Sequence, residues 1–144
     1  MVDPRRSRTA EAADAHLAIR PGTDAVLLAA LTRGVLAAGA DLPAPLDDLV
    51  DGIDELSGLL QPFTVDIAAA VTGIDAATIQ QLTDDLVAAP TAAVYGRIGT
   101  TTVEFGTLTT WLIDVLAVLT GNLDRPGGSM WPKPATERVR APRE

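Results

Sequence analysis

Three short polar stretches of this 144-residue chain carry the side chains best suited to bind a ligand. The first is Asp3-Pro4-Arg5, which follows what reads as the end of a short strand. An acid at that place in a nucleotide-binding fold hydrogen-bonds a ribose hydroxyl, and a nearby arginine pairs with a phosphate or stacks on a base. The same residues also fit a solvated charge cluster at a strand end, and taken alone they favour that second interpretation.

The second stretch, Pro21-Gly22-Thr23-Asp24, stands directly before an apolar run that reads as a helix. A helix N-terminus offers free N–H groups and the positive end of the helix dipole. Because Asp24 already supplies a negative charge there, the position disfavours a phosphate. Its carboxylate suits the N–H donors of a purine edge such as that of guanine. The alternative is a plain helix cap at Thr23 or Asp24, and local physics alone favours the cap.

The third stretch, residues 95–102 (YGRIGTTT), lies between a predicted strand and a predicted helix. Its two glycines permit a close backbone approach, and its three threonines offer hydroxyl groups to a polar ligand. It matches neither a dinucleotide glycine fingerprint nor a phosphate-binding loop. Its place at the carboxyl end of a strand suits a binding crevice, and a ligand loop and an ordinary turn are equally favoured.

No residues in the sequence form a set of nucleophile, base and orienting group. His16 is the single histidine, and it is predicted to be structural. Asp114 shares a helix face with Thr107 and Thr110, which indicates a solvated or interdomain face. We therefore predict no catalytic and no metal-ligating residue in this chain.

Composition excludes several classes of protein. The chain has 11 basic and 19 acidic residues, and most of the basic ones fall in residues 1–8 and 133–144. The acidic middle repels nucleic acid, so no nucleic-acid partner is expected. There is no cysteine, hence no disulfide and no iron–sulfur cluster bound by this chain. No secretory signal and no apolar run of about 20 residues is visible, so we expect a cytoplasmic chain without a membrane span.

Hydrophobic periodicity predicts short strands alternating with helices. Strands are predicted at residues 1–4, 16–19 and 92–95, and helices at 24–38, about 46–59, 64–73, 75–89 and 105–119. This order indicates an α/β fold: a partial doubly wound, Rossmann-like parallel sheet with flanking helices, rich in helix. Residues 1–128 would form this domain, and residues 129–144 an irregular Pro- and Arg-rich tail.

Three segments, taken in order along the chain, resemble one family. They are VDPRRSRTAEAADAHLAIRPGTDAVLLAAL, FTVDIAAAVTGIDAATIQQL and AAVYGRIGTTTVEFGTLTTWLIDVLAVLTGNLDRPGG, and together they cover most of residues 2–128. The chain resembles the molybdopterin-dinucleotide oxidoreductases, which include formate dehydrogenases, periplasmic nitrate reductases and dimethyl sulfoxide reductase.

The resemblance implies a nucleotide-binding-like central domain that holds one guanine dinucleotide arm of the molybdenum cofactor, molybdopterin guanine dinucleotide (Mo-bis-MGD). The resemblance implies three groups of cofactor-binding residues. The first, along the arm, is Asp3, Pro4 and Arg5, and the second, at its guanosine end, is Gly22, Thr23 and Asp24, with Asp24 on the guanine edge. The third, near the pterin, is Ile98, Gly99 and Thr102. The second and third groups should therefore border one crevice.

The chain also departs from this family's pattern. Family members usually carry an iron–sulfur cysteine set and a Cys, selenocysteine or Ser ligand to molybdenum upstream of this region, and the chain has no cysteine. We therefore expect an internal piece of a larger oxidoreductase that binds the cofactor arm without being catalytic alone. Its partners would be the remaining domains or a partner chain. The alternative is a non-enzymatic interaction module that docks on a partner chain, and the almost wholly apolar helix predicted at residues 24–38 favours it.

Overall fold

The structure is a computed structural model that describes residues 1–39 and 50–130. In these ranges the chain is rich in helix. The helices are α1 (Arg8–Ala12), α2 (Asp24–Ala37), α3 (Ile53–Leu59), α4 (Val65–Thr72), α5 (Ala76–Ala88), α6 (Ile98–Thr101) and α7 (Gly106–Leu119).

Helix α2 lies at the centre of the molecule. Most of its residues are buried, and it packs against α4, α5 and α7. The prediction of a buried helix here is confirmed, because a helix that is apolar almost all round must be covered on most sides. Gly34 brings α2 and α5 close together, since a Cβ atom at this position would lie 2.5 Å from the Cγ2 atom of Thr83. Helices α2 and α5 are therefore closely packed near the C-terminal end of α2.

Helices α4 and α5 begin and end where the sequence predicts. The Thr64 hydroxyl accepts a hydrogen bond from the backbone N–H of Ile67, and the Asp75 carboxylate accepts one from the N–H of Thr78. Gly73 ends α4 with φ = 80°, a left-handed conformation that suits glycine. These caps satisfy backbone donors and acceptors that a helix end leaves free.

The N-terminal residues form a small parallel contact. Val2 pairs with Leu17 in an isolated bridge, supported by hydrogen bonds from Asp3 N–H to the Leu17 carbonyl (3.1 Å) and from Leu17 N–H to the Met1 carbonyl (2.9 Å). Helix α1 connects the two sides. The short strands predicted at residues 1–4 and 16–19 are thus present as one parallel bridge with a helical crossover.

The buried strand predicted at residues 92–95 is not present. The segment is extended, with Ala92 and Val94 half-buried and Ala93 and Tyr95 exposed, but no strand is assigned to it. None of the described residues forms a bridge with this segment, so its alternating pattern joins no sheet there. Within residues 1–39 and 50–130, bridges form only at Val2–Leu17 and Leu123–Ser129, and a continuous Rossmann-like sheet is not confirmed.

Two further predictions fall partly outside the described ranges. The helix predicted at about 46–59 is seen from Ile53 to Leu59, and residues 40–49 lie outside. The predicted tail lies outside from residue 131 onward. None of the helices described has the combined length and hydrophobicity that crossing a bilayer requires.

Candidate functional site

The carboxylate of Asp24, at the N-terminus of α2, lies within electrostatic range of the Asp3 carboxylate. Asp24 is the first residue of this helix and is half-buried, as is Asp3. Burial raises the pKa of Asp24, a hydrogen bond from its own backbone N–H acts against this, and the negative charge of Asp3 raises the pKa further. This electrostatic effect is the one link that the described residues show between the first and the second predicted group of site residues.

Asp3 is held in place through its backbone and its own turn. Its carbonyl lies 2.9 Å from Nε2 of His16, and its carboxylate accepts a hydrogen bond from the Arg5 N–H at 2.7 Å. The prediction that His16 is structural agrees with this contact. The Arg5 side chain and Pro4 are exposed beside Asp3, so the Asp3-Pro4-Arg5 turn presents a carboxylate and a guanidinium on one surface.

Helix α2 begins without a side-chain cap. Thr23 occupies the N-cap position, yet its hydroxyl donates to the Arg20 carbonyl (2.7 Å) instead of accepting from the helix. In contrast, Ser7, Thr64 and Asp75 each accept a backbone N–H at the start of their helices. The interpretation of Thr23 as an ordinary cap is therefore wrong for its side chain. In this respect the start of α2 resembles those of α3, α6 and α7, which also begin without a side-chain cap.

Residues 94–96, 100 and 101 border a separate cavity of about 250 Å³ between the extended segment, α6 and α7, whose lining does not include Ile98 or Gly99. Its polar lining includes Thr100, Thr101, Thr110, Asp114 and Ser129. The hydroxyl protons of the threonines are already used, because each donates to a backbone carbonyl within its own turn. These hydroxyls can still accept hydrogen bonds from a ligand, but they do not offer it the free donors that the sequence suggests.

The remaining residues predicted near the pterin lie on α6 and just after it. Ile98 is 73% exposed, and the Thr102 hydroxyl donates to the Ile98 carbonyl at 2.9 Å. A Cβ atom on Gly99 would have nothing within 4 Å, whereas one on Gly96 would lie 2.5 Å from Cδ1 of Ile113. Gly96 is thus closely packed within the chain, the space beside Gly99 is open, and the approach of a ligand to these glycines stays a prediction.

The two clusters are not joined by the contacts of the described residues. The lining of the 250 Å³ cavity includes neither Asp3 nor Asp24. A single crevice shared by Asp24 and Gly99 therefore stays a prediction.

Asn122 organises the second cluster, and the sequence reasoning assigned it no role. Its side chain is 1% exposed, its Oδ1 accepts from the Ala92 N–H (3.1 Å), and its Nδ2 donates to both oxygens of Thr120. It thus ties the extended segment to the turn that follows α7. The sequence shows a single asparagine directly after Gly121, but Ala92, to which its side chain bonds, lies 30 residues away.

A larger cavity of about 390 Å³ lies between α3 and α7 and is mainly apolar. Trp111 and Asp114 border it, and Asp114 borders the smaller cavity as well. Among the described residues no group of three or more His, Asp or Glu side chains is arranged to hold a metal ion. The chemistry available in these parts is hydrogen bonding and charge, centred on Asp3 and Asp24.

The pKa shift of Asp24 predicts how stability depends on pH. Because the folded state raises the pKa above its ordinary value near 3.8, the native chain binds more protons than the unfolded chain just above that value. Stability is therefore lost as pH rises through this window, and Asp24→Asn should be more stable than wild type at pH 7. We expect a gain below about 1 kcal/mol, because solvent screens a half-exposed carboxylate. Urea unfolding at pH 3 and pH 7 measures it.

Asp75 supplies the control of opposite sign. The hydroxyl of Thr78, followed by its backbone N–H, lowers the pKa of Asp75. The ionised Asp75 carboxylate therefore stabilises the folded state at pH values above its ordinary pKa, and this stabilisation is lost as pH falls. Asp75→Asn should therefore be less stable than wild type at pH 7. An Asp24→Asn chain that loses stability at pH 7 would contradict the prediction.

Comparison with known proteins finds similarity to parts of longer proteins. No protein-family model matches it. It is 31% identical over 131 residues to the formate dehydrogenase 2 alpha subunit of Methanococcus maripaludis, covering 91% of this chain and 19% of that protein. It is 32% identical over 132 residues to a protein assigned as a formate dehydrogenase in Staphylococcus haemolyticus, covering 92% of this chain and 13% of that protein.

Part of a solved structure has a similar fold. Acetylene hydratase from Pelobacter acetylenicus superposes with a TM-score of 0.75 at 25% identity, over 83% of this chain and 16% of that one. The chain thus spans less than a fifth of the length of these relatives. The chain is thus similar to a segment of much longer proteins, as expected of an internal piece of a molybdopterin oxidoreductase.

Proposed function

We propose that the chain is part of a molybdopterin-dependent oxidoreductase and binds a guanine dinucleotide arm of the cofactor. In this proposal Asp24 accepts the N–H donors of the guanine edge, while Asp3, Pro4 and Arg5 border the arm. The observation that carries the proposal is the half-buried Asp24 carboxylate at a helix start without a side-chain cap, within electrostatic range of the Asp3 carboxylate.

The chemistry of Asp24 suits guanine. Apart from its own backbone N–H, no described residue donates a hydrogen bond to this carboxylate, so its acceptor sites are open. A guanine edge offers an N–H and an amino group side by side, which a carboxylate accepts in a paired geometry. These donors would also relieve the repulsion between Asp24 and Asp3. A phosphate at the same place would meet two negative charges and is disfavoured.

The chemistry named for the relatives also supports a binding role. Formate dehydrogenases and an acetylene hydratase carry out different reactions, yet segments of both resemble this chain. A segment common to both is better suited to hold a shared cofactor than to recognise either substrate. With the cofactor bound, the metal centre supplies the redox chemistry, and residues of this chain bind and orient the arm.

The pterin end of the arm is proposed to lie near α6. Ile98 offers an exposed apolar side chain, and Thr102 offers a hydroxyl oxygen that can still accept a hydrogen bond. Gly99 leaves open space at its α-carbon, which a flat ring could occupy. A partial doubly wound sheet completed by other parts of the longer protein would bring this end near the start of α2.

GMP binding tests the proposed function directly. Isothermal titration of the 144-residue chain with GMP, and with AMP as the matched control, should give measurable GMP binding and at least about tenfold weaker AMP binding. The reason is that adenine presents an acceptor where guanine presents an N–H, and an acceptor opposite Asp24 is repelled. Equal affinity for the two nucleotides, or no binding of either, would overturn the assignment of Asp24.

An interaction module that docks on a partner chain is the second candidate. Tyr95 is 81% exposed, Phe105 52% and Trp111 48%, and aromatic side chains are enriched at protein interfaces. The partner in this case is the remaining part of the larger oxidoreductase or a separate chain. A monomeric, monodisperse sample that binds GMP would count against docking as the sole function.

A further inference from the structure

Arg20 links the proposed guanine site to the end of α4. Its Nη1 donates to the carbonyls of Ala70 (2.6 Å) and Val71 (3.0 Å), and its backbone N–H donates to the carbonyl of Thr72 (2.8 Å). A charged donor at the C-terminal turn of a helix satisfies free carbonyls and interacts favourably with the helix dipole. Three hydrogen bonds therefore fix both the side chain and the backbone of Arg20 to a helix that begins more than forty residues further along the chain.

The other side of Arg20 holds the turn that leads into α2. Its carbonyl accepts the hydroxyl of Thr23 (2.7 Å) and the N–H of Thr23 (3.3 Å). Between them, Pro21 fixes one backbone angle and Gly22 adopts φ = 81°, the pattern of a type II turn. The turn is thus rigid within itself, and Arg20 alone of its residues bonds to α4.

The Arg20 side chain also lies beside Gly73. A Cβ atom on Gly73 would lie 3.5 Å from Nε and 3.6 Å from Cγ of Arg20, so the guanidinium stem packs over the end of α4. The guanidinium is thus packed as well as hydrogen-bonded, which restricts where the following turn can lie.

We propose that Arg20 is the positioning residue of the guanine site: by anchoring the turn of residues 20–23 to the end of α4, it sets where Thr23 and Asp24 meet the ligand. The proposal rests on the proposed function. Arg20 does not contact the guanine edge itself. It acts by keeping the Asp24 carboxylate at a fixed place beside Asp3.

The test compares Arg20→Ala, Arg20→Lys and Arg125→Ala in the 144-residue chain. Arg125 is the matched control, because its Nη1 also donates to a carbonyl just after a helix end, that of Gly121 (3.1 Å), but it has no contact with the turn before α2. We expect Arg20→Ala to weaken GMP binding about tenfold, Arg125→Ala to leave it within about twofold, and Arg20→Lys to restore most of it. A lysine ammonium can replace Nη1, since one nitrogen makes both side-chain bonds.

Hydrogen exchange separates positioning from a general loss of stability. In Arg20→Ala the amides of Thr23 and Val26 should exchange at least about tenfold faster, while those of α7 keep their wild-type rates. Unchanged GMP affinity in Arg20→Ala, or an equal loss in Arg125→Ala, would overturn the proposal. If wild type binds no GMP, the guanine assignment fails. Faster exchange confined to the turn would then still support Arg20 as its anchor, and unchanged exchange would refute it.

Discussion

Asp24→Asn should lower the affinity for GMP by roughly 10- to 100-fold while raising the stability of the protein at pH 7. The substitution keeps the size of the side chain and replaces one acceptor oxygen by an NH2 donor. That donor meets a donor of the guanine edge, and the charge-assisted hydrogen bond is lost. Hydrogen bonds to charged groups contribute about 1.5–3 kcal/mol, which corresponds to this range of affinity. Isothermal titration with GMP measures the loss.

A complementary ligand makes the test sharper. Xanthosine monophosphate carries a carbonyl where GMP carries the amino group, so it presents an acceptor to the asparagine NH2. Asp24→Asn should therefore bind xanthosine monophosphate more tightly than wild type does. This reversal is expected only if residue 24 contacts the base edge.

The matched control is Asp54→Asn. Asp54 is an exposed acid in the first turn of α3, so the substitution changes the charge of the chain equally. It should leave GMP binding unchanged. If Asp24→Asn binds GMP as wild type does, Asp24 does not contact guanine.

The two expected effects of Asp24→Asn have opposite signs, and that combination is informative. A residue that lowers stability in the free protein and is required for binding is typical of a functional site. Burial and the charge of Asp3 both disfavour the ionised form of Asp24. Among the described residues, no basic side chain offsets this effect. A ligand with two N–H donors is one means of relieving this conflict.

The caps of α4 and α5 could be predicted because their causes are local. Thr64, Gly73 and Asp75 act on backbone groups within four residues of themselves, and their types alone indicate helix ends. The burial of α2 could be predicted for a related reason, since an apolar helix has only one stable environment. In these elements the pattern of residues and the structure agree.

The extended segment at residues 92–95 shows where such reasoning ends. Its alternation of exposed and half-buried side chains matches the expected strand, but a strand exists only through its neighbours. Likewise, nothing near Arg20 indicates that it bonds to Ala70 and Val71, fifty residues away. The candidate site residues could be chosen from their types, whereas the contacts that position them depend on distant parts of the chain.

Gly106→Ala should be the most destabilising of the substitutions considered, by about 3 kcal/mol or more. A Cβ atom on Gly106 would overlap the carbonyl oxygen of Thr101, which is backbone and cannot rotate away. Overpacking against side chains typically costs about 1–3 kcal/mol, and a backbone neighbour leaves less room for relaxation. The end of α6 would have to move away from the start of α7, which would displace Ile98 and Thr102. Urea unfolding measures the loss, and thermal unfolding should show a decrease of about 10 °C.

Gly99→Ala is the matched control, because the same methyl group is added to a glycine of the neighbouring helix. A Cβ atom on Gly99 has nothing within 4 Å, and alanine favours helix over glycine by up to about 1 kcal/mol. Gly99→Ala should therefore be neutral or slightly stabilising. Equal effects of the two substitutions would mean that α6 and α7 do not meet through Gly106. If only Gly106→Ala unfolds the chain, this glycine sets the spacing between α6 and α7, on which the proposed pterin end of the site depends.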